Sequence, residues 1–418
     1  MEQEHITGSL LGAYRGLDLT DEKGLLCGKI LADLGAQVIK IEPPQGDLAR
    51  KTGPFYHDIP TPDRSLYWFA CNVNKKGITL NIEANEGQEL FIQLVSDADF
   101  VLESFPPGYL DKLGLGYSRL RDVNSHVVVI SITPFGHTGP YRDYKASDLT
   151  LMAMSGFMYM TGEPDRAPLR ISCDQAYMHA AGEAAAATMT ALYQRGGSGE
   201  GQHIDVSAQA SLIMNTGNAV PFWELNQVLL ERAGHYRIGL MNSKQRQLWE
   251  CQDGYVIFYI IGGAFGVKSN EALADWLDSE GLADDFIRGM DWGSFDMATT
   301  TQKEQDHMEK LAAELFIRYT KAELYEQAIR RGLALCPVST PQDILGNPQL
   351  EARDYWVRIK HDELDGDFSY PGPFVKGSIA PCHYFRAPLI GEHNKEVYQD
   401  KLGLSEKKLA DLRKDGVI

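Results

Sequence analysis

The strongest constraint on the fold is a series of short apolar runs separated by helical segments in the first half of the chain. Runs rich in β-branched residues at 36–41, 78–82 and 127–132 predict strands. The remaining elements predicted here are strands at 15–20 and 100–103 and helices at 24–34, ending before Gly35, and 86–95. Strands that alternate with helices form parallel sheets covered on both faces, so the predicted fold class is α/β of the doubly wound type.

In the second half of the chain, the pattern of predicted elements changes near residue 210. The predicted elements, in order, are an alanine-rich helix at 180–192, a tight glycine turn at 196–201, a strand at 203–207, a long connecting segment at 209–223, a strand at 254–261, and helices near 271–277 and 304–330. The elements after residue 250 predict a smaller α+β module. The proline-containing segment 338–348 is predicted to lead back towards the first domain.

The net charge of the chain narrows the classes of molecule that it is expected to bind. Lys and Arg number 40 and Asp and Glu number 57, which gives a net charge of −17 over 418 residues. A chain this acidic is not expected to bind nucleic acid or an anionic membrane as its main partner. A small anionic ligand held by a local group of bases stays compatible with this charge.

The cysteines and the apolar stretches predict a cytoplasmic protein. The six cysteines are scattered without a CxxC pair, which favours reduced thiols over disulfides or a zinc site. Residues 1–9 lack the basic and apolar regions of a secretory signal. The most hydrophobic stretch, 255–267, is too short to span a bilayer.

Two local patterns predict no cofactor chemistry. The stretch GGSGEG at 196–201 lacks the following Lys-Ser/Thr of a phosphate loop and is interpreted as a turn. His179 and Glu183 are four residues apart on a predicted helix, but the sequence offers no third ligand, so no metal site is predicted.

Asp174 has two interpretations from its position alone. It precedes the alanine-rich helix, where an Asp commonly accepts hydrogen bonds as an N-cap. A carboxylate in a preorganised site can instead act as a nucleophile and form a covalent intermediate. Lys75, Lys112 and Lys145 follow predicted turns or precede predicted strands, and they are candidates to hold phosphate groups as point charges.

Six segments in order resemble the class III CoA-transferases, the family of formyl-CoA, carnitine-CoA and benzylsuccinate CoA-transferases and the α-methylacyl-CoA racemases. They are LADLGAQVIKIEPPQGD (31–47), NVNKKGITLNI (72–82), ESFPPGYLDKLGLGY (103–117), SITPFGHTGPYRDYKASD (131–148), ALYQRGGSGEGQHIDVS (191–207) and APLIGEHN (387–394). Their order and spacing cover nearly the whole chain.

The resemblance implies a specific architecture. A Rossmann-like large domain is built from both chain ends, with its first part at 1–210 and a return segment at 340–418. A small domain at 225–335 is inserted between them, and two subunits interlock like chain links. The implied oligomer is a homodimer or a heterodimer with a related subunit.

The resemblance also implies the reaction. Coenzyme A moves from an acyl-CoA donor to a small organic acid through an aspartyl anhydride and an aspartyl-CoA thioester, with acyl-CoA as substrate and no tightly bound cofactor or metal. Asp174 is implied as the catalytic residue. The residues implied to contact coenzyme A are Lys23, Leu80, Asn81, Ser104, Phe105, Lys112 and Lys145.

Two departures from the family pattern leave alternatives open. Ser147 stands where the racemase branch has a His, which removes one base from a racemase or epimerase reaction. Asp174 lies a few residues further from Ala191 than the family spacing, which would fall nearer Ala176 or Tyr177. Either residues 175–179 contain a small insertion, or the chain is a non-catalytic partner subunit of a heteromer.

Overall fold

A parallel six-stranded sheet organises the N-terminal half of the chain in the computed structural model. The structure describes residues 9–238, 244–377 and 384–418. These residues divide into two compact units. The first is drawn from the described residues of Met1–Phe157, Arg170–Pro221 and Gln349–Ile418, and the second from those of Met158–Leu169 and Phe222–Pro348. The first unit is therefore discontinuous in sequence.

The strands are short and most lie in the first unit. In chain order the strands of the described residues are β1 (Arg15–Asp18), β2 (Gln37–Glu42), β3 (Lys76–Thr79), β4 (Phe100–Glu103), β5 (Val128–Thr133), β6 (His203–Ser207), β7 (Tyr236–Ile238), β8 (Lys244–Arg246), β9 (Leu248–Cys251), β10 (Gly254–Ile257), β11 (Cys336–Pro337), β12 (Trp356–His361) and β13 (Gly366–Pro371).

The helices range from single turns to one of 23 residues. In chain order the α-helices of the described residues are α1 (Leu25–Asp33), α2 (Leu66–Asn72), α3 (Asn85–Val95), α4 (Tyr109–Lys112), α5 (Tyr117–Val123), α6 (Asp148–Met154), α7 (Ala176–Ser198), α8 (Ala208–Met214), α9 (Ala219–Asn226), α10 (Val267–Ser279), α11 (Asp285–Arg288), α12 (Gln302–Phe316), α13 (Lys321–Arg331), α14 (Pro341–Leu345), α15 (Pro348–Ala352) and α16 (Glu406–Lys414). A π-helix, Lys395–Lys401, precedes α16.

The sheet has the strand order β3-β2-β1-β4-β5-β6, with every neighbouring pair parallel. This is the order of a doubly wound dinucleotide-binding sheet, so the predicted α/β class is confirmed. The order reverses between β1 and β4. In sheets of this type, ligands bind in the crevice at that switch point, outside the carboxyl ends of the strands.

Helices cover both faces of the sheet. On one face α1 contacts α7. On the other, one apolar cluster joins sheet residues such as Leu17 and Val101 to α3, α5 and α16. Leu412 and Ile418 of the C-terminal segment belong to this cluster. The segment after residue 394 therefore completes the core beneath one face of the sheet.

The end of β1 carries a buried ion pair. Asp18 is fully buried and accepts a hydrogen bond from Lys75 Nζ at 2.8 Å. The same ammonium group donates to the Leu25 carbonyl at 2.7 Å and to Asn72 Oδ1 at 2.9 Å. A Cβ at Gly28 would lie 2.3 Å from Asp18 Oδ2, so a glycine lets α1 approach the pair. Lys75 is thus occupied inside the fold, and its prediction as a phosphate-binding base is wrong.

The second unit has its own core. Strands β11, β10 and β9 form an antiparallel sheet, and Trp249, Trp276 and Phe316 are buried against it. The prediction of one helix at 304–330 is wrong, because α12 ends at Phe316 and a new helix follows. Thr320 begins α13 with a capping box, in which its side chain and that of Glu323 bond reciprocally to backbone N–H groups.

Several predicted boundaries also differ from the structure. Helix α7 continues through Gly196–Ser198, so the predicted glycine turn begins only at Gly199, whose φ of 74° ends the helix. Residues 209–223, predicted as a connecting segment, contain most of α8 and part of α9. The strand predicted at 78–82 lies earlier, as β3, and the strand predicted at 254–261 ends at Ile257.

Candidate functional site

The loops that follow β1 and β4 meet at the switch point of the sheet. They lead to helices on opposite faces, α1 and α4–α5, which is the arrangement that opens a ligand-binding crevice in sheets of this type. Ser104 Oγ accepts a hydrogen bond from the Asp21 N–H at 2.9 Å and donates to Asp21 Oδ1 at 2.7 Å. This pair of bonds fixes one loop to the other.

Two more of the predicted contact residues adjoin this pair. The Asp21 carboxylate accepts the Lys23 N–H at 3.1 Å and also forms an ion pair with the Lys23 ammonium group. Phe105 directly follows Ser104, and its N–H donates to Glu103 Oε2 at 2.7 Å. The structure therefore brings Lys23, Ser104 and Phe105 together at the switch point.

The start of α7 shows that Asp174 is not an N-cap. Asp148 Oδ1 accepts hydrogen bonds from both the Gln175 and the Ala176 N–H groups, each at 2.7 Å. The Asp174 carboxylate makes no cap bond; it pairs instead with Arg170 at 3.2 Å, and its side chain is 60% exposed. The cap interpretation of Asp174 is therefore wrong, and its carboxylate faces solvent beside the first turn of the helix.

Asp174 lies within electrostatic reach of the loop after β1. Burial raises the pKa of the Tyr67 phenol, and the nearby carboxylates of Glu22 and Asp174 raise this pKa further. Burial also raises the pKa of Tyr177 in the first turn of α7, and the Asp21 and Glu22 carboxylates add to this shift. The charges of the loop after β1 therefore reach both phenols, and the charge of Asp174 reaches that of Tyr67.

Lys112 and Lys145 lie on the neighbouring loops. Lys112 is the last residue of α4, and Lys145 precedes α6 in the loop after β5; both are exposed. A Cβ at Gly108, just before α4, would lie 4.0 Å from Arg142 Nη2, so the loops after β4 and β5 are in contact. Both lysines are thus carried by loops at the carboxyl edge of the sheet.

Leu80 and Asn81 lie elsewhere along the same edge. Leu80 is 3% exposed in the apolar core, and the Asn81 N–H donates to the Val417 carbonyl at 2.7 Å. β2 and β1 separate β3 from β4 in the sheet, so at about 4.8 Å per strand these two strands lie roughly 14 Å apart. Beyond the strands, however, Phe105 packs against the apolar cluster that contains Leu80, and the Tyr109 hydroxyl donates to Glu83 Oε1 at 2.8 Å, so the segments after β3 and β4 are in contact.

Ser147, the residue that departs from the racemase pattern, has a local structural role. Its hydroxyl accepts the Thr150 N–H at 3.4 Å and so caps α6. A hydroxyl in this role does not abstract protons from a substrate carbon, because a neutral Ser is too weak a base.

Sequence reasoning missed Glu103, the last residue of β4. It is 3% exposed, and burial raises its pKa to about 7 despite hydrogen bonds from Ser131 and from the Phe105 N–H. His137 Nε2 lies 3.8 Å from Glu103 Oε1. A charged residue that ends an otherwise apolar strand, FVLE, is the signal that could have identified it.

Two features are absent from the part of the chain that the structure describes. Residues 9–238, 244–377 and 384–418 contain no group of three or more His, Cys, Asp or Glu side chains that could hold a metal ion. Within the same ranges, no helix has the length and apolar composition needed to cross a bilayer.

Comparison with known proteins identifies relatives over nearly the full length. The model of CoA-transferase family III matches residues 20–394. The chain is 36% identical over 402 residues to the subunit BbsE of succinyl-CoA:(R)-benzylsuccinate CoA-transferase from Thauera aromatica, covering 93% of this chain and 94% of that protein. It is 32% identical over 397 residues to succinyl-CoA–D-citramalate CoA-transferase from Chloroflexus aurantiacus, covering 94% of each. A crystal structure of a CAIB/BAIF family protein from Brucella suis superposes with a TM-score of 0.78 at 26% identity, covering 93% of this chain and 98% of that one.

Proposed function

The chain belongs to CoA-transferase family III, and we propose that it moves coenzyme A from an acyl-CoA donor to a small organic acid with Asp174 as the nucleophile. One observation carries the assignment of Asp174. Its carboxylate is not consumed by the helix cap, which Asp148 supplies, and it is close enough to the Tyr67 phenol to raise that pKa, as Glu22 of the switch-point loop also does.

The proposed reaction consists of two matched exchanges. An Asp174 oxygen attacks the thioester carbonyl, the C–S bond breaks, and coenzyme A leaves as its thiolate while a mixed anhydride forms. The thiolate then attacks the Asp174 carbonyl carbon, which releases the donor acid as its carboxylate and leaves an Asp174–CoA thioester. The acceptor carboxylate then attacks the Asp174–CoA thioester and releases the thiolate, which attacks the acceptor's carbonyl carbon in the new anhydride. This gives the acceptor's CoA thioester and regenerates Asp174 without net uptake of protons.

We propose that coenzyme A extends from the switch point along the carboxyl edge of the sheet. Lys23, Ser104 and Phe105 would contact the part nearest the thioester, and Lys112 and Lys145 would meet phosphates as exposed point charges. Leu80 and Asn81 would contact the nucleotide from the β3 side, where their side chains are already packed or bonded. Coenzyme A is a substrate in this proposal and not a tightly bound cofactor.

The names of the similar proteins support a proposal for the acyl-CoA donor. Those from Thauera aromatica and Chloroflexus aurantiacus are both named for succinyl-CoA, so we propose succinyl-CoA as the donor of this chain. The cytoplasmic location is also a proposal, supported by the free, buried thiols of Cys27, Cys71 and Cys251. Cys382 lies outside the described residues.

We propose an interlocked dimer, formed either with a second copy or with a related subunit. Met214, Val220 and Leu225 on α8 and α9 are 76%, 59% and 78% exposed in the single chain, which supports a covering partner. The name of the Thauera relative, a subunit, favours the second candidate function, a partner subunit of a heteromer. The purified chain tests it: a non-catalytic subunit shows no transfer alone and gains it on co-expression with a related chain.

The transfer assay tests the role of Asp174. With succinyl-CoA and a panel of organic acids, the Asp174→Ala variant is expected to lose at least about 10³-fold in kcat, because no covalent intermediate can form. Asp174→Asn serves as the matched control for shape, and the same loss is expected. An Asp174→Ala variant that retains full transfer activity overturns the assignment.

A further inference from the structure

Thr20, in the loop after β1, is fully buried, and its peptide bond to Asp21 is held from both sides. The N–H and the hydroxyl of Thr20 both donate to Asp18 Oδ1, at 2.9 and 2.6 Å. The Thr20 carbonyl accepts a hydrogen bond from the ammonium group of Lys40, which lies on β2. The Asp21 N–H donates to Ser104 Oγ at 2.9 Å, in the loop after β4. The two strands that flank β1 therefore fix this one peptide group, β2 at its carbonyl and β4 at its N–H.

Lys40 also connects this loop to the loop after β2. Its side chain is fully buried, and its Nζ lies 3.2 Å from Asp47 Oδ2. Asp47 Oδ1 in turn accepts the Ala49 N–H at 2.8 Å and so caps the 3₁₀-helix Leu48–Lys51. Both loops leave the carboxyl ends of their strands, which is the edge where sheets of this type bind ligands. One ammonium group thus holds two loops of that edge.

The two buried lysines near Asp18 have different partners. Lys75 donates to Asp18 Oδ2, to the Leu25 carbonyl and to Asn72 Oδ1, and none of these groups belongs to the loops after β1 and β2. Lys40 Nζ is 4.0 Å from Asp18 Oδ1, which is too far for a hydrogen bond. Lys75 therefore compensates the charge of Asp18 inside the fold, whereas the bonds of Lys40 go to the two loops.

We infer that Lys40 is a positioning residue for coenzyme A. By holding the Thr20 carbonyl it sets the orientation of the peptide group that leads into Asp21, and the Asp21 carboxylate binds both the N–H and the ammonium group of Lys23. Lys40 acts only through these residues, because its own side chain is fully buried. The inference rests on the proposed function, which assigns Lys23 and Ser104 to the part of coenzyme A nearest the thioester.

Loss of the Lys40 bond should change binding more than turnover. The Thr20 carbonyl would then lack a partner in a buried place, so the peptide group turns towards another donor in part of the molecules. If the fraction with the receptive loop falls to about one-tenth, the Kd for coenzyme A rises about tenfold. Saturating acyl-CoA selects the receptive molecules, so KM rises while kcat stays within about threefold of the wild-type value. A merely structural role gives the opposite result, because unfolded molecules lower the apparent kcat and leave KM unchanged.

The Lys40→Met variant tests this split between KM and kcat. Titration calorimetry should give a Kd for coenzyme A about tenfold above that of the wild type, and the transfer assay should give the raised KM. Lys75→Met is the matched control, since the same substitution removes the other buried ammonium group but no bond to either loop. Its Kd should stay within about twofold of the wild-type value. A wild-type Kd for Lys40→Met, or an equal rise in both variants, overturns the inference.

A charge-balanced variant separates the bond from the stability of the fold. Lys40→Met leaves the buried Asp47 carboxylate without its counter-charge, which by itself lowers the free energy of unfolding. Combining Lys40→Met with Asp47→Asn removes one charge of each sign and keeps an oxygen that can accept the Ala49 N–H. The double variant should resist urea better than Lys40→Met and yet keep the raised Kd. A Kd that returns to the wild-type value together with the stability contradicts a positioning role.

Hydrogen exchange on the wild type decides the question if these variants do not fold. The inference requires that the loop is fixed before coenzyme A arrives, so the Thr20 and Asp21 amides should be protected in the free protein and gain little protection from coenzyme A. Fast exchange that slows only on binding contradicts the inference. A wild type that does not bind coenzyme A contradicts the proposed function, whereas binding to an unprotected loop contradicts only the role of Lys40.

Discussion

At the residue scale, the cationic side chains of the first unit have two different roles. Lys75 is fully buried at its ammonium group and donates to three acceptors around Asp18, whereas Lys112 and Lys145 are exposed at the carboxyl edge of the sheet. The first kind stabilises the fold, and the second kind is proposed to meet the phosphates of coenzyme A. The net charge of −17 therefore does not oppose binding of coenzyme A at this edge.

Replacing Lys75 tests this division. The Lys75→Met variant leaves the Asp18 carboxylate buried without its main partner, so the free energy of unfolding should fall by about 3–5 kcal/mol. Lys112→Met is the matched control: its free energy of unfolding should change by less than about 0.5 kcal/mol, since the side chain is exposed. Urea denaturation measures both. A Lys75→Met variant as stable as the wild type contradicts the buried ion pair.

Replacing Asp148 tests the helix start that adjoins the proposed nucleophile, Asp174. Asp148→Ala removes the acceptor of two N–H groups and should lower the free energy of unfolding by about 1 kcal/mol. It should also lower kcat, because the Gln175 bond next to Asp174 is lost, while the Kd for coenzyme A stays near the wild-type value. Asp148→Asn keeps an acceptor oxygen and should recover most of kcat. Equal kcat in Asp148→Ala and the wild type would show that this bond does not position Asp174.

The same two aspartates show what a sequence reveals at this scale. Asp174 could be proposed as a catalytic residue from the sequence because it precedes the alanine-rich helix along the chain. The group that bonds to the helix start, Asp148, lies 27 residues before the Gln175 it serves. A sequence does not display such long-range hydrogen bonds, so the N-cap interpretation of Asp174 was the natural local prediction. Glu103 was missed for the same reason, since its environment comes from β5, β6 and a loop.

At the element scale, the predicted strands succeed where the pattern is bounded on both sides. β4 and β6 have the predicted limits: Asp99 and Glu103 bound the apolar residues of β4, and a glycine turn precedes β6. β3 differs because apolar residues continue past the strand: Leu80 and Ile82 pack in the same core as Val417 and Ile418 instead of extending the sheet. A distant segment of the chain accounts for that apolar pattern.

Helix α7 allows a paired test of its C-terminal boundary. Gly199 has a φ of 74°, so Gly199→Ala should lower the free energy of unfolding by about 1 kcal/mol through the left-handed backbone. Gly196 is helical and exposed, and a Cβ placed there meets no atom within 4 Å apart from its chain neighbours and the backbone of its own helix. Gly196→Ala should therefore raise the free energy of unfolding by about 1 kcal/mol. Thermal or urea unfolding measures the pair, and shifts of the same sign would contradict this boundary.

At the scale of the whole molecule, the order of the family motifs along the chain predicted more than any single pattern did. The sheet places the motifs at 131–148 and 191–207 on neighbouring strands, and it brings Lys23 to Ser104 although 81 positions separate them. The resemblance pointed to Lys23 and Ser104, but it gave no account of Asp21, which is hydrogen-bonded to both. Leu80 and Asn81 show the limit of a prediction from resemblance. The Leu80 side chain is buried in the apolar core, and the Asn81 N–H already donates to a backbone carbonyl.

Chemical trapping of the covalent intermediate tests the central claim most directly. The wild type is incubated with succinyl-CoA and hydroxylamine, digested and analysed by peptide mass spectrometry, with Asp174→Asn as the control. Hydroxylamine attacks activated acyl groups and leaves an ordinary carboxylate unchanged, so a hydroxamate at Asp174 that requires succinyl-CoA is the predicted result. Measurable transfer with no modified Asp174, or with the hydroxamate on another carboxylate, would contradict Asp174 as the nucleophile.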